Sequence, residues 1–405
     1  MAKVVRRVWV TASGEQKEAW IVRYWQKGTV LDKNGKPKLD KNGEPKEGGQ
    51  YIETFARKKD AQARADEIGV GIRNRTHVAP SQSITVAEAA DRWIAASERA
   101  GLEPTTVDFY RGHVEHHIRP MLGKTKLAEL TTASVSNFAE MLHNAGRSKV
   151  LIGKIMVSFG SILAEAQSDN LVARNVVSEQ SRSRKRRKHV AKRLKAKVVA
   201  GENMPTPGEM KAIIDAAKPR WRTLLLTAAM TGMRASEIRG LRWEDVNLKE
   251  STITVRQRAD KNGVIGLPKS GTGKRTISIG PKLTTALKEW KLQSGGSELV
   301  FPSDGNRVLS LSTIIRLGLI PAVLAAGLKD KDGKARYSGM HDIRHFHASL
   351  CINPVSRGGL GLTAKETQER LGHSSIMMTM DVYGHLFPRS DDSGAMAAAE
   401  AALLG

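Results

Sequence analysis

The sequence holds a single cysteine, Cys351, among 405 residues. An internal disulfide is therefore excluded and a reducing cytosol is the compartment that fits. The lone thiol reads as a small buried hydrophobe. Aromatic residues make up only 5% of the chain, and acid is scarce beside base: 41 Asp and Glu stand against 65 Lys and Arg, a formal charge of +24. No apolar run approaches the roughly 20 residues of a membrane span. The N-terminal MAKVVRRVWVTASGEQ has no long apolar core of the signal-peptide kind, and no basic amphipathic helix carries aromatics along one face. Together these absences set aside secreted, disulfide-built and membrane-surface classes. The cationic surplus calls for a polyanion, and nucleic acid leads.

What is present is enough apolar residue, 40%, for several packed domains. Residues 1–72 read as a small module. VVRRVWVTA, EAWIVRYWQ and QYIETFA alternate apolar and polar positions as half-buried strands do, and RKKDAQARADEIG is a short helix. Between the second and third strands an octad is duplicated, LDKNGKPK then LDKNGEPK. Its composition reads as turns in a solvated hairpin rather than a calcium loop, since each copy offers one acid at its start. Residues 73–84 are loop-like. From Thr85, a candidate cap, the period becomes helical and makes a helical domain over 85–175. The stretch 176–204 reads as a basic linker. Between Ser181 and Lys197 lie ten Lys or Arg and no acid, a block whose charges repel one another unless they lie on phosphates. Arg184, Lys185, Arg186, Arg187, Lys188, Lys192 and Arg193 are its candidate nucleic-acid contacts. Residues 205–392 form the largest domain, opened by a helix with Thr206 as cap. Within it STITVRQ and KRTISIG are strands about a Gly-rich turn. Residues 393–405 are an Ala-rich tail that forms a short helix suited to docking on a neighbouring subunit. The fold class is multidomain α+β: a three-stranded sheet with a helix, a helical domain, and a mainly α domain with a small antiparallel sheet.

LGHSSIMMTMDVYGH, residues 371–385, raises the chemical question, because it places Tyr383 ten residues after His373. A tyrosine that attacks a phosphodiester needs its phenol, with a pKa near 10 in water, deprotonated by a base or a positive field. It also needs guanidinium groups for the charge of the pentacoordinate phosphorus, and an acid for the leaving oxygen. Arg234 in TGMRASEIRGLRWEDVNL has Glu237 close by to orient it. In HDIRHFHAS, His341 and Arg344 are three apart on one helix face. That segment has the His-to-His spacing of a zinc helix but lacks its general-base glutamate, so no metal is expected. GLPKSGTGKRTISI fails as a phosphate loop, because Arg275 stands where Ser or Thr should follow Lys274. It reads instead as a hairpin with Lys269 at the end of its first strand.

In this order and at these distances the segments resemble the tyrosine recombinases, and in particular the phage-type integrases, over about 205–390. TGMRASEIRGLRWEDV is similar to that family's first arginine box. PKSGTGKRTISI is similar to its lysine hairpin, HDIRH to its His-x-x-Arg box, and LGHSSIMMTMDVYGH to its His-then-Tyr box. Upstream, 85–175 resembles the core-site-binding domain and 1–72 the arm-site-binding domain.

The resemblance implies roles. Arg234 and Arg344 clamp the scissile phosphate. Lys269 is the acid for the 5′-oxygen, and His341 the acid/base partner of Tyr383. His373 bonds the phosphate or steadies the pocket. Tyr383 forms a 3′-phosphotyrosyl bond, with no cofactor, metal or ATP. Two strand pairs exchange in turn through a four-way junction, in a homotetramer on paired double-stranded DNA sites. DNA-bending and directionality proteins are implied as further partners, in the cytoplasm of a bacterial host. A catalytically inactive DNA-binding regulator and a type IB topoisomerase are the alternatives. Three departures stand out: His347 where the family has an aromatic, a polar insertion at 330–336, and a long link before Leu371. His385 reads as a surface residue.

Overall fold

The structure is a computed structural model. It describes residues 2–11, 14–29, 39–73, 83–172, 174–187, 198–268, 271–387 and 392–404. Two compact units divide the chain, Met1–Lys192 and Arg193–Gly405.

The first unit opens with an antiparallel sheet in the order β1 (Lys3–Val10), β2 (Gln16–Thr29), β3 (Glu47–Phe55). The helix α1 (Lys58–Arg73) follows it. Alternation along β2 turns Val22 and Tyr24 to one face, where they meet Ala61, Ala65 and Ile68 of α1. This is the sheet-plus-helix module that the alternating strands predict. The second copy of the octad closes as a self-contained turn. Asp40 N donates to Glu44 O at 2.7 Å, and Asp40 Oδ1 accepts from the amides of Asn42 and Glu44 at 2.8 and 3.1 Å. The acid is spent on backbone, as the turn reading requires. The first copy lies outside the described residues. Among those described, the same turn recurs at Asp260–Val264 and Asp330–Lys334, each with the aspartate bonded to the two amides that follow. Each copy has a glycine at positive φ in fourth place, the position an L side chain resists.

The helical part of this unit comprises α2 (Val86–Arg99), α3 (Pro104–His113), α4 (Arg119–Leu122), α5 (Thr132–Asn144), α6 (Lys149–Ser168) and α7 (Val176–Arg187). A π-type turn, Val114–Ile118, joins α3 to α4. Thr85 caps α2 in a reciprocal box with Glu88. Val86, Ala89, Ala90, Trp93 and Ile94 recur at helical spacing and turn inward together. Helix α6 qualifies one expectation: with 20 residues it is long and apolar enough to cross a bilayer by composition. Its Ile155, Phe159, Ile162 and Leu163 are instead fully buried in the helical core, Phe159 edge-on to Phe138. Each such side chain contributes about 1.5–3 kcal/mol relative to exposure.

Helix α7 differs from the expected linker over 176–204. Val176 and Val177 join the helical core, and Asn175 caps the first turn through Ser178 N at 3.1 Å. The front of the basic run is therefore helical in backbone. Lys188, Lys192 and Arg193 lie outside the described residues, as do the side chains of Arg184 to Arg187.

The second unit packs α8 (Pro207–Ala216), α9 (Pro219–Thr231), α10 (Ala235–Arg239), α11 (Pro281–Gln293), α12 (Leu311–Thr313), α13 (Ile320–Ala325) and α14 (Met340–Ile352). Leu224, Leu225, Ile238, Leu287, Val323 and Ile343 lie in its main core. A small antiparallel sheet runs β4 (Val246–Asn247), β5 (Thr252–Val255), β8 (Arg275–Ser278), with a separate ladder of β6 (Arg258–Ala259) on β7 (Ile265–Gly266). This corrects the simple hairpin: β5 ends at Val255, and a second ladder stands between it and Lys269, which itself lies outside the described residues. Helices α15 (Ala364–Leu371), α16 (Ile376–Tyr383) and α17 (Asp392–Leu404) complete the chain. Thr206 caps α8 with Glu209, whose carboxylate also accepts from Tyr337 at 2.9 Å and Arg336 at 2.7 Å.

Candidate active site

Two helix ends build the site. Helix α9 stops at Gly232, which turns left-handed at φ +60°, and α15 stops at Gly372 at φ +65°. A helix leaves its last carbonyls unpaired and its C-terminal end partly negative. Here those carbonyls seat guanidinium groups. Arg344 of α14 donates Nη1 to Gly232 O at 2.6 Å and Nη2 to Leu371 O at 2.7 Å. Arg234, at the start of α10, donates Nη2 to Gly372 O at 2.8 Å. Gly232 is needed twice over, since a Cβ there would also stand 2.4 Å from His347 Cδ2.

Glu237 fixes the other side of Arg234. Its carboxylate, 2% exposed, accepts Arg234 Nη1 at 2.8 Å and Arg275 Nη2 at 2.9 Å, and the Arg234 amide at 2.9 Å. Burial alone would raise its pKa, but Arg275 and Arg234 outweigh burial and hold it below the usual carboxylate range. Glu237 is thus the expected buttress. Arg275 is a member of the same cluster that the sequence did not single out. Burial, with Arg234 beside it, lowers Arg344 to about 9, so it keeps its charge at neutral pH.

A cavity of about 290 Å3 lies among Arg234, His341, Arg344, His345, His373, Asp381 and Tyr383. Five of the six expected site residues therefore line one space. Tyr383, 2% exposed, sits where α16 ends, and burial pushes its phenol up to about 12 against the opposing pull of Arg344. His373 Nδ1 meets Thr379 Oγ1 at 2.9 Å, and its ring lies parallel to that of Tyr383 at 6.4 Å. Burial, Arg344 and Arg234 lower this histidine to about 3.

The direct partner of the Tyr383 hydroxyl differs from the expectation. It is His345, whose Nδ1 is 2.7 Å away, and not His341. His341, exposed at the rim, stands edge-on to His345 with ring centres 4.6 Å apart. The two are four apart on one helix, and that spacing is the only sequence signal that could have found His345. His347 points elsewhere and is more than packing. The Ala229 carbonyl can only accept, so His347 Nδ1–H donates to it at 2.8 Å and Nε2 receives Arg370 Nε at 3.2 Å. Cys351 is fully buried. His385 is exposed, yet its Nε2 donates to Val198 O at 2.8 Å. Among the described residues no group of three or more His, Cys, Asp or Glu is placed to hold a metal ion.

An anion entering this space would meet two fixed guanidinium groups beside a buried phenol that already touches an imidazole. Known proteins are similar to this chain. The Phage integrase family model matches residues 204–389, and the model of the phage integrase N-terminal SAM-like domain matches residues 85–143. The ICEBs1 integrase of Bacillus subtilis strain 168 is 27% identical over 286 residues, covering 68% of this chain and 72% of its own. The fold is that of the Tn1549 transposon integrase solved with a circular intermediate DNA: TM-score 0.61 at 17% identity, covering 80% of this chain and 100% of that one. A lambda integrase tetramer bound to a Holliday junction superposes with TM-score 0.54 at 18% identity, covering 86% and 95%. The chain belongs to the phage integrase family of tyrosine recombinases.

Proposed function

We propose that this enzyme, a site-specific DNA recombinase, breaks DNA by attack of Tyr383 on a phosphodiester and rejoins it by reversal. The observation that carries this reading is the cavity itself: one buried phenol faces two guanidinium groups held rigid by helix-end carbonyls and Glu237. Preorganised donors aimed at developing charge are the largest single source of rate in such chemistry. Arg234 and Arg344 take the non-bridging oxygens of the scissile phosphate. Attack leaves a 3′-phosphotyrosyl bond and a 5′-oxygen, to which Lys269 supplies the proton. His373, stacked on the phenol ring and tied to Thr379, steadies the nucleophile. The phosphotyrosyl bond retains the energy of the phosphodiester, so a 5′-hydroxyl from a partner strand reseals it without ATP.

The partner is double-stranded DNA, as the charge of +24 favours. The finer proposals are these. Residues 1–72 hold arm-type sites, 85–175 hold core sites, and 205–392 carry the chemistry. Residues 184–193 lie on phosphates, and four copies act on paired sites through a four-way junction, with DNA-bending and directionality proteins assisting in a bacterial cytoplasm.

The test is a covalent trap. Protein is mixed with supercoiled plasmid carrying the DNA that flanks its own gene, in EDTA, and quenched with detergent. The expected result is protein-linked nicked DNA that disappears in Tyr383→Phe, with recombined product at one mapped position. An adduct that persists in Tyr383→Phe refutes the assignment. Relaxation at scattered positions without product would favour the topoisomerase reading, and tight binding with no adduct the regulator.

A further inference from the structure

The hydroxyl of Tyr383 has a specific neighbour. Nδ1 of His345 lies 2.7 Å from the phenol oxygen, with the two rings 5.6 Å apart and inclined at 64°. The other imidazoles nearby are differently engaged. His373 holds Thr379 through Nδ1, and its ring lies parallel to the tyrosine ring with centres 6.4 Å apart. His347 is committed at both nitrogens, to Ala229 O and to Arg370. His341 contacts the ring of His345, edge-on at 78°.

We propose that His345 is the proton acceptor for Tyr383. It takes the phenolic proton on Nδ1 as the phenol oxygen bonds to phosphorus, and returns it when the strand is resealed. The inference rests on the reading of Tyr383 as nucleophile.

The step balances. The Tyr383 O–H bond breaks and its proton goes to the Nδ1 lone pair. The phenol oxygen forms the bond to phosphorus and the bond from phosphorus to the 5′-oxygen breaks. The leaving oxygen takes a proton from the Lys269 ammonium. In resealing, an incoming 5′-hydroxyl gives its proton to the Lys269 amine, and the His345 imidazolium gives its own back to the phenol. The step uses the tautomer with Nδ1 bare and Nε2 protonated, in which a phenol donates to the ring.

The charged and titratable groups around His345 set its readiness. His341 and Arg344 flank it on α14. Arg234 faces the cavity from the turn after α9, His373 from the turn after α15, and Asp381 and Tyr383 from α16. Burial, His341 and Arg344 lower His345 to about 4, so it is neutral and able to accept at physiological pH. The phenol, at about 12, holds its proton far more tightly. Transfer therefore does not precede attack. It accompanies formation of the bond to phosphorus, as a bound phosphate raises the proton affinity of the imidazole and Arg344 lowers that of the phenol.

The experiment measures the rate of adduct formation across pH on a duplex carrying the mapped cleavage position, with either oxygen or sulfur as the 5′-bridging atom. A thiolate leaves without needing a proton. His345→Asn should form adduct about 10²-fold to 10⁴-fold more slowly than the parent. Its rate should rise about tenfold per pH unit, because phenolate must then form unaided. The sulfur substrate should rescue Lys269→Ala and leave His345→Asn slow. A His345→Asn rate within about threefold of the parent, with an unchanged pH profile, overturns the proposal. So does rescue of His345→Asn by sulfur, which would put His345 on the leaving-group side. An adduct in the Tyr383→Phe control would instead bring down the nucleophile reading itself. Melting and DNA binding are measured alongside, and His345→Gln, which keeps good helix propensity, replaces the Asn variant if that one melts early.

Discussion

Gly232→Ala tests whether the helix-end carbonyls are the seats of the site. The residue lies at φ +60°, and an alanine held there costs about 1–2 kcal/mol. The added methyl would stand 2.4 Å from His347 Cδ2, 2.9 Å from Cγ and 3.1 Å from a Leu371 methyl. The imidazole cannot swing away cheaply, because Ala229 O holds one nitrogen and Arg370 the other. Overpacking against so fixed a neighbour adds about 1–3 kcal/mol, and the sum is about 2–5 kcal/mol. Hydrogen exchange on the α9 and α14 peptides of the full chain reads this as a fall in local opening free energy. Adduct formation should fall further than stability does, since the carbonyl that moves is the one holding Arg344. The double variant with His347→Ala should recover part of the strain, with a coupling of about 1–2 kcal/mol. A Gly232→Ala protein within about 0.5 kcal/mol of the parent would show that neither the left-handed turn nor the imidazole contact constrains this corner.

Two further outcomes follow from buried charge. His347 is lowered to about 3 by burial and by Arg370, below its unfolded value near 6.5. Its contribution is therefore complete above pH 6.5 and is lost as pH falls, by about 2 kcal/mol at pH 5. Urea unfolding at pH 7.5 and pH 5 should show the loss, and His347→Phe should flatten it; a slope unaffected by that change would remove His347 as the cause. Glu237→Gln replaces a carboxylate shared by Arg234 and Arg275 with an amide that must turn a donor toward one of them. A loss of about 3 kcal/mol and at least a tenfold slower adduct are expected from the uncompensated charge. Unchanged adduct kinetics would mean that Arg234 is positioned by Gly372 O alone.

Local signals were readable in the sequence and convergent ones were not. The caps Thr85 and Thr206 each pair with a glutamate three residues on, a relation complete within one turn. The arginine, histidine and tyrosine boxes were also readable, because each carries its residues in a fixed short frame. The seats of the arginines were not, because Gly232, Leu371 and Gly372 meet Arg234 and Arg344 only when α9, α14 and α15 converge. The contact of His345 with Tyr383 was hidden for the same reason: His341 and His345 share a helix face, and only the position of Tyr383 in space tells them apart. Helix α7 eluded the reading of 176–204 because its charge run masks two valines that the helical core buries.

The recurring aspartate turn has a consequence for how such chains diversify. Each copy closes on itself through one side chain and its own amides, at 40–44, 260–264 and 330–334. The entropy of closing so short a loop is small and hardly grows with a few more residues. A segment that ends in this turn can therefore be spliced between two elements without re-registering either. The polar stretch at 330–336, close ahead of His341, holds such a turn: Lys329 pairs with Ala335 across it, and Arg336 just beyond is tied to Glu209. Length can vary at these points while the spacing of the reactive groups stays fixed, which makes them the natural places to lengthen, tag or exchange segments of this protein.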